Sequence, residues 1–211
     1  MVYNILQIVR DVRIAIDENK TGEQLIADED VDTLSLDEII RSKIVEAVRR
    51  VLTAAPVHLL DGGLPFCDAV YCRDKGAGWA LLPCDFMRLI IFKMSDWERP
   101  VYDAITAADP EYQLQHSRYK GIRGNPQKPV VAIVSRQEGR VLELYSCENE
   151  DATVEQSLYL PLPEIDKDGG IEIPERCYQS VVYTAASLTL ATIGQGELST
   201  LMTELSKQLL T

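Results

Sequence analysis

Histidine is nearly missing from this 211-residue sequence, which has only His58 and His116. Nucleophilic catalysis needs a base beside the nucleophile, so two histidines leave little material for a triad. Gly-x-Ser-x-Gly, His-Glu-x-x-His and a phosphate-cradling glycine loop ahead of a helix are absent too. Met1-Val2-Tyr3-Asn4-Ile5 offers no basic n-region, no long apolar run and no small-residue cleavage site, so no signal peptide is expected. Without an export signal, the five cysteines (Cys67, Cys72, Cys84, Cys147 and Cys177) read as reduced thiols, mostly small buried hydrophobes.

Long apolar runs are also lacking. Residues 177–196 carry no charge, which raises the question of a membrane span, but Gln179, Ser180, Thr184, Ser187, Thr189, Thr192 and Gln195 break the stretch up. A helix that sheds charge yet stays hydroxyl-rich is expected to pack among other protein helices. Bases are outnumbered, 21 against 33 acids, for a net charge of −12. Such a surface repels phosphate backbones, so the chain as a whole is no duplex-gripping protein. The charge is divided −4, −7 and −1 over residues 1–56, 57–173 and 174–211. A hydrophobic content of 46% with 12 Gly and 10 Pro excludes disorder over most of the length and any collagen-like or low-complexity architecture. The length suits one large domain, or one domain carrying an insertion.

What is present has a clear order. Ile5, Ile8, Val9, Val12 and Ile16 recur at helical steps, with Arg10, Asp11, Arg13 and Asp17 opposite, and Thr21-Gly22 closes this first helix. An acidic linker, Asp28-Glu29-Asp30-Val31-Asp32, follows. Ser35-Leu36-Asp37-Glu38 is a capping box opening a second helix with an apolar stripe of Ile40, Ile44, Ala47, Val48 and Val51, ended at Ala54-Ala55-Pro56. Residues 57–173 change grammar. Glycine and proline punctuate short β-like runs at 69–72, 79–82, 87–93, 130–134, 141–145 and 158–160. The pair 130–134 and 141–145 predicts a hairpin, whereas 97–106 fits a short helix or a bent strand. Ile173-Pro174-Glu175 predicts a third helix, although the β-branched run 181–188 leaves a strand open and only the length without a breaker favours helix. Leu198, Leu201, Met202, Leu205 and Leu209 form one stripe of a last helix. The expected fold is α+β: a four-helix bundle from residues 1–56 and 174–211, with a β-rich domain, 57–173, inserted between helices two and three.

Five constellations compete with blander readings. Residues 164–175 can be read as a calcium loop with Glu164, Asp166, Asp168 and Glu175 at the ligand positions and Gly169 at the turn. Leu160-Pro161-Leu162-Pro163 forbids the preceding helix, however, and a plain acidic turn leading into a helix is the preferred reading of the run. Asp28, Asp30 and Asp32 lack the glycine and closing glutamate of such a loop. Cys67, Cys72 and Cys84 have no common zinc spacing. Cys84, Asp85 and His116 are the remaining material for a hydrolase. Against the global charge, residues 116–128 hold Arg118, Lys120, Arg123 and Lys128 with no acid, around Tyr119. This stretch is either a solvated, flexible surface loop or a contact arm for an acidic neighbour or passing DNA.

Two motifs in this layout carry a resemblance. Leu82-Pro83-Cys84-Asp85-Phe86-Met87-Arg88-Leu89 resembles a strand start, and Ile173-Pro174-Glu175 with Ala185-Ala186 a bundle-helix start, of podoviral head-to-tail adaptor proteins (tail tubular protein A). The second helix ending Ala54-Ala55-Pro56 is also similar to that of connector proteins. The β block and its basic loop depart from the family in length. The resemblance implies a non-enzymatic virion protein without cofactors, made in the host cytoplasm and placed at the head-tail junction. Copies, a dodecamer in the portal-matched case, would form a ring below the portal protein, extend the DNA channel and present a platform to the next tail component. The interface residues would be Arg118, Tyr119, Lys120, Arg123 and Lys128 of the loop and Leu198, Leu201, Leu205 and Leu209 of the last helix, which pack either within one chain or on a neighbour. Two other classes stay open: a cytosolic enzyme or small-ligand-binding protein with its pocket in the β block, and a calcium-stabilised binding module.

Overall fold

A computed structural model describes residues 1–17, 35–67, 71–74, 77–117, 119, 121–149 and 151–211. The helix stop at Thr21-Gly22, the acidic linker at 28–32, and Ala69, Val70, Arg118 and Lys120 lie outside the described residues. In chain order the elements are β1 (Val2–Asn4), α1 (Ile5–Asp17), α2 (Leu36–Ala54), β2 (Leu64–Pro65), β3 (Tyr71–Asp74), β4 (Ala77–Leu81), β5 (Phe86–Met94) and β6 (Ile105–Thr106). They continue as α3 (Pro110–Leu114), β7 (Val131–Arg136), β8 (Gly139–Leu144), β9 (Val154–Pro161), β10 (Gly170–Glu172), α4 (Tyr178–Thr192) and α5 (Gly196–Gln208). The protein is mixed α+β. It divides into two compact units, one of Met1–Asp61 with Pro163–Thr211 and one of Gly62–Leu162.

The first unit is helical. Its α2 begins as its residues dictate: the Ser35 hydroxyl accepts the Glu38 amide at 3.4 Å and the Glu38 carboxylate accepts the Ser35 amide at 2.9 Å. Such a cap contributes about 1 kcal/mol. Ala55 is already extended ahead of Pro56, which ends the helix. Ile8, Val9, Val12 and Ile16 of α1 and Ile40, Ile44, Ala47, Val48 and Val51 of α2 are buried. The charge-free segment is helical, resolving the strand alternative: α4 packs against α1, α2 and α5 and buries Val181, Val182, Ala185, Ala186 and Leu190. A helix with neighbours on several sides has little surface left for charge. Pro174 stands ahead of a 3-10 turn (Glu175–Cys177) that leads into α4, not in the α-helix itself.

The α4–α5 contact is made by hydroxyls. Ser180 and Ser206 exchange hydrogen bonds, with the Ser180 hydroxyl on the Ser206 carbonyl at 3.1 Å and the reverse at 3.0 Å. Thr184 joins Ser206, and Ser187 joins Ser199 and Thr203. Small side chains that satisfy one another let the two backbones approach closely without an orphaned polar group. The buried face of α5 is therefore Met202 and Ser206, while Leu201 and Leu209 are each 43% exposed. The leucine stripe, which was open to packing within the chain or on a neighbour, lies beside this hydroxyl contact, with Leu198 and Leu205 half-buried.

The boundary between the units falls within the β-like stretch. Residues 57–61 and 163–173 belong to the helical unit because β10 pairs with β1, Tyr3 opposite Ile171. Tyr3 stacks on Tyr178 with centroids 4.2 Å apart, and the Tyr178 hydroxyl donates to Asp11, tying the strand pair to α1 and α4. Asp11, placed on the outer face by periodicity, thus has an inward partner.

The second unit contains a three-stranded sheet, β2-β9-β5, and a five-stranded sheet, β3-β4-β8-β7-β6. The expected hairpin is β7–β8, with Arg136 opposite Gly139 and a turn of Gln137 and Glu138. Gly139 takes φ 128°, a backbone state that a side chain disfavours. Residues 97–106 are neither helix nor one bent strand: Val101 bridges to Phe92, and Ile105–Thr106 lies parallel to β7. The core gathers Leu82, Phe86, Leu89, Phe92, Met94, Trp97, Val131, Leu142, Leu144 and Tyr159. All three phenylalanines of the chain meet there, Phe66 lying 6.1 Å from Phe86 and 6.0 Å from Phe92.

Candidate functional site

The basic segment is anchored at its base. Gln115 is buried at the end of α3; its amide nitrogen donates to the Glu111 carbonyl at 3.1 Å and its oxygen accepts the Gly124 amide at 2.8 Å. Asn125 and Lys128 exchange backbone hydrogen bonds, and the Asn125 side chain accepts the Gln127 and Lys128 amides. Gly124 packs on Val130, whose amide donates to the Ser146 hydroxyl at 2.9 Å. Glycine and proline predict a flexible loop; within it residues 121–128 form a hydrogen-bonded turn, in which Gly124 serves close approach. The outer part differs. Tyr119 is 73% and Ile122 51% exposed, on a turn in which the Ile122 and Arg123 amides donate to the Tyr119 carbonyl. Lys128 is exposed, while the Arg123 Nε is buried and has no hydrogen-bond partner among the described residues.

Beneath this segment lies a polar network that periodicity did not single out. Glu143 of β8 is buried and accepts hydrogen bonds from Arg136, Tyr145 and Tyr112, the last at 3.1 Å. The Arg136 guanidinium also lies over the Trp79 ring, 5.5 Å from its centroid. His116 meets the Tyr112 and Tyr145 rings at 5.3 and 6.1 Å. Burial pushes the Glu143 carboxyl up, but the Tyr145 and Arg136 hydrogen bonds, the Arg136 charge and Tyr112 outweigh it and hold the carboxyl below the usual carboxylate range. Burial and the Glu143 carboxylate push the Tyr145 hydroxyl well up, so it stays a donor. The signal was a lone acid inside the apolar run Val141-Leu142-Glu143-Leu144-Tyr145, which the hairpin pattern absorbed.

The sign of the pH effect follows. A depressed folded-state value favours folding above the unfolded glutamate value of about 4.3, and that contribution is lost as pH falls through the folded value. Thermal melts from pH 7 to 3 are expected to fall more steeply for the natural chain than for Glu143→Gln. The variant starts roughly 1–3 kcal/mol lower at pH 7 because Arg136 loses its charged partner. Parallel curves would remove Glu143 from the acid response.

The other sequence candidates are placed apart from common chemistry. Asp166 Oδ1 accepts the Asp168 and Gly170 amides at 3.0 and 2.6 Å, so this carboxylate caps the turn into β10. Glu175 lies beyond that strand, with its amide on Asp61 at 3.3 Å. Glu164, Asp166, Asp168 and Glu175 are not gathered, and among the described residues no group of three or more His, Cys, Asp or Glu is arranged to hold a metal ion. Asp85 accepts the Tyr159 hydroxyl at 3.0 Å and His116 lies on its two tyrosine rings, so the hydrolase candidates have separate partners. Cys84 is exposed, Cys67 half-buried, and Cys147 and Cys177 buried. On α5, Leu198 and Leu205 are half-buried and Leu201 is exposed, as is Leu209 just past the helix end. Among the described residues no helix is long and apolar enough to cross a membrane. No protein-family model matches this chain, and no curated protein matches it.

Proposed function

We propose that this chain is a structural virion protein of a tailed phage, an adaptor that forms a head-to-tail ring below the portal, prolongs the DNA channel and carries the next tail component without catalysing a reaction. In this reading α1, α2, α4 and α5 are one four-helix bundle and the β-rich unit is inserted between α2 and α4. The observation that carries it is α5: it already packs on α4 through hydroxyl pairs and Met202, yet Leu201 and, just past the helix end, Leu209 are exposed. Exposed leucines on a helix already packed on its own chain suit a protein-protein contact. The resembling motifs also hold structural posts. Leu82, Phe86 and Leu89 are core residues, Asp85 is bound by Tyr159, and Pro174 leads into α4. A channel wall of net negative charge lets DNA slide, since it neutralises no phosphates. Tyr119 and Ile122, beside Arg123 and Lys128, give the β-rich unit an apolar and cationic contact tip for an acidic neighbour.

Electron microscopy of the concentrated protein, alone and mixed with a portal ring, tests this reading. Closed rings with a central opening are expected, and a persistent monomer in both conditions overturns it. Reversing Arg118, Lys120 and Lys128 to glutamate is expected to weaken assembly about tenfold or more with an unchanged melting temperature. Normal assembly of that variant removes the loop from the interface.

A further inference from the structure

Two apolar residues of α1 lie outside its buried stripe, Leu6 at 61% and Ile14 at 50% exposure. They edge an open groove of about 530 Å3 between α1 and α2. Arg10, Arg13 and Arg41 also line it with Asp37, which Arg13 binds at 3.2 Å, and the Glu38 carboxylate lies within the field of Arg41. Three guanidiniums around exposed leucine and isoleucine are unusual on a chain of net charge −12. The complementary chemistry is present on α5, where Glu197, Leu201 and Glu204 are exposed and follow at steps of four and three, so they share one face. α4 packs against α1 and α2 and also against α5, while α1 and α2 pack on each other. The groove and the acidic leucine face thus flank α4 from different sides of the same helical unit.

We infer that the α1–α2 groove receives the outer face of α5 from a second copy of this chain, with Glu197 and Glu204 against Arg10 and Arg41 and Leu201 between Leu6 and Ile14. Two different surfaces in contact make a heterologous interface, which repeats from copy to copy and closes into a ring where the rotation allows. This rests on the ring reading and supplies its contact. The charges set the register and the leucines supply the buried apolar area. The contact weakens as salt rises, because its charges lie at the surface.

Charge exchange provides the test. Sedimentation at low salt and the highest soluble concentration compares the natural chain with Arg10→Glu/Arg41→Glu and with Glu197→Arg/Glu204→Arg. Each pair alone is expected to weaken association roughly 100-fold, since like charges then face each other. An equimolar mixture of the two variants, and one chain carrying all four changes, are expected to associate again. All substituted side chains are exposed, and unchanged melting curves verify the fold. If the natural chain assembles and neither pair disturbs it, the groove contact is wrong and the ring reading stands. If only the groove pair matters, another acidic surface fills the groove and the α5 contact is wrong. A natural chain that remains monomeric throughout overturns both.

Discussion

Ala185→Glu is expected to unfold the helical unit, lowering stability by at least about 4 kcal/mol in chemical denaturation. Ala185 is 0% exposed, on a helix that packs against α1, α2 and α5. The longer side chain overfills this space at roughly 1–3 kcal/mol. Its carboxylate adds the cost of burying a charge, several kcal/mol more unless it takes up a proton. Ala191→Glu, the same change on an exposed turn of α4, is the control and is expected to stay within about 0.5 kcal/mol. Equal behaviour of the two variants would mean that α4 is not enclosed by its neighbours.

Phe92→Ala is expected to cost about 3–5 kcal/mol, seen as a lower denaturation midpoint. Phe92 is 0% exposed in β5, 5.7 Å from Trp97 and 6.0 Å from Phe66. Removing the ring takes away its own burial and leaves a cavity between rings that β5 and the Val101 bridge hold in place. Tyr102→Ala, at a position 50% exposed, is the comparison and should cost less than about 1 kcal/mol. A loss for Phe92→Ala no larger than that of the comparison would contradict a packed aromatic core.

Both substitutions act where the sequence was readable to different depths. Ala185 lies in a segment whose lack of charge announced burial among helices, although β-branched residues left a strand open. Phe92 lies in a run recognisable as strand. That Phe66, distant in sequence, would join it was not, because ring contacts between strands leave no local period. β5 also has register shifts, between Leu89 and Ile91 among others, so both Leu89 and Ile90 are buried where strict alternation would expose one.

The candidate surfaces divide in the same manner. The positive charge of residues 116–128 is a property of composition and was plain. Its anchoring was not, because Gln115 and Gly124 act through a contact across nine residues. On α5 two helical stripes stand side by side, Leu198, Leu201, Leu205 and Leu209 beside Ser199, Met202, Thr203 and Ser206. Hydrophobicity chooses the leucines as the inner face. The hydroxyls of α4 turn the other inward, because Ser180, Thr184 and Ser187 hydrogen-bond to Ser199, Thr203 and Ser206.

By itself, then, the sequence determined what depends on neighbours along the chain: the capping box at Ser35 and Glu38, the stripes of α1 and α2, the β7–β8 hairpin, and the exclusion of charge from α4. Tertiary structure alone decided which face of α5 turns outward, that β1 pairs with β10, and that Glu143 is buried against Arg136, Tyr145 and Tyr112. Local order follows from backbone geometry and side-chain period within a few residues. Pairing, facing and the state of a buried charge depend on groups brought together from far along the chain, and their partners are fixed only when the core closes.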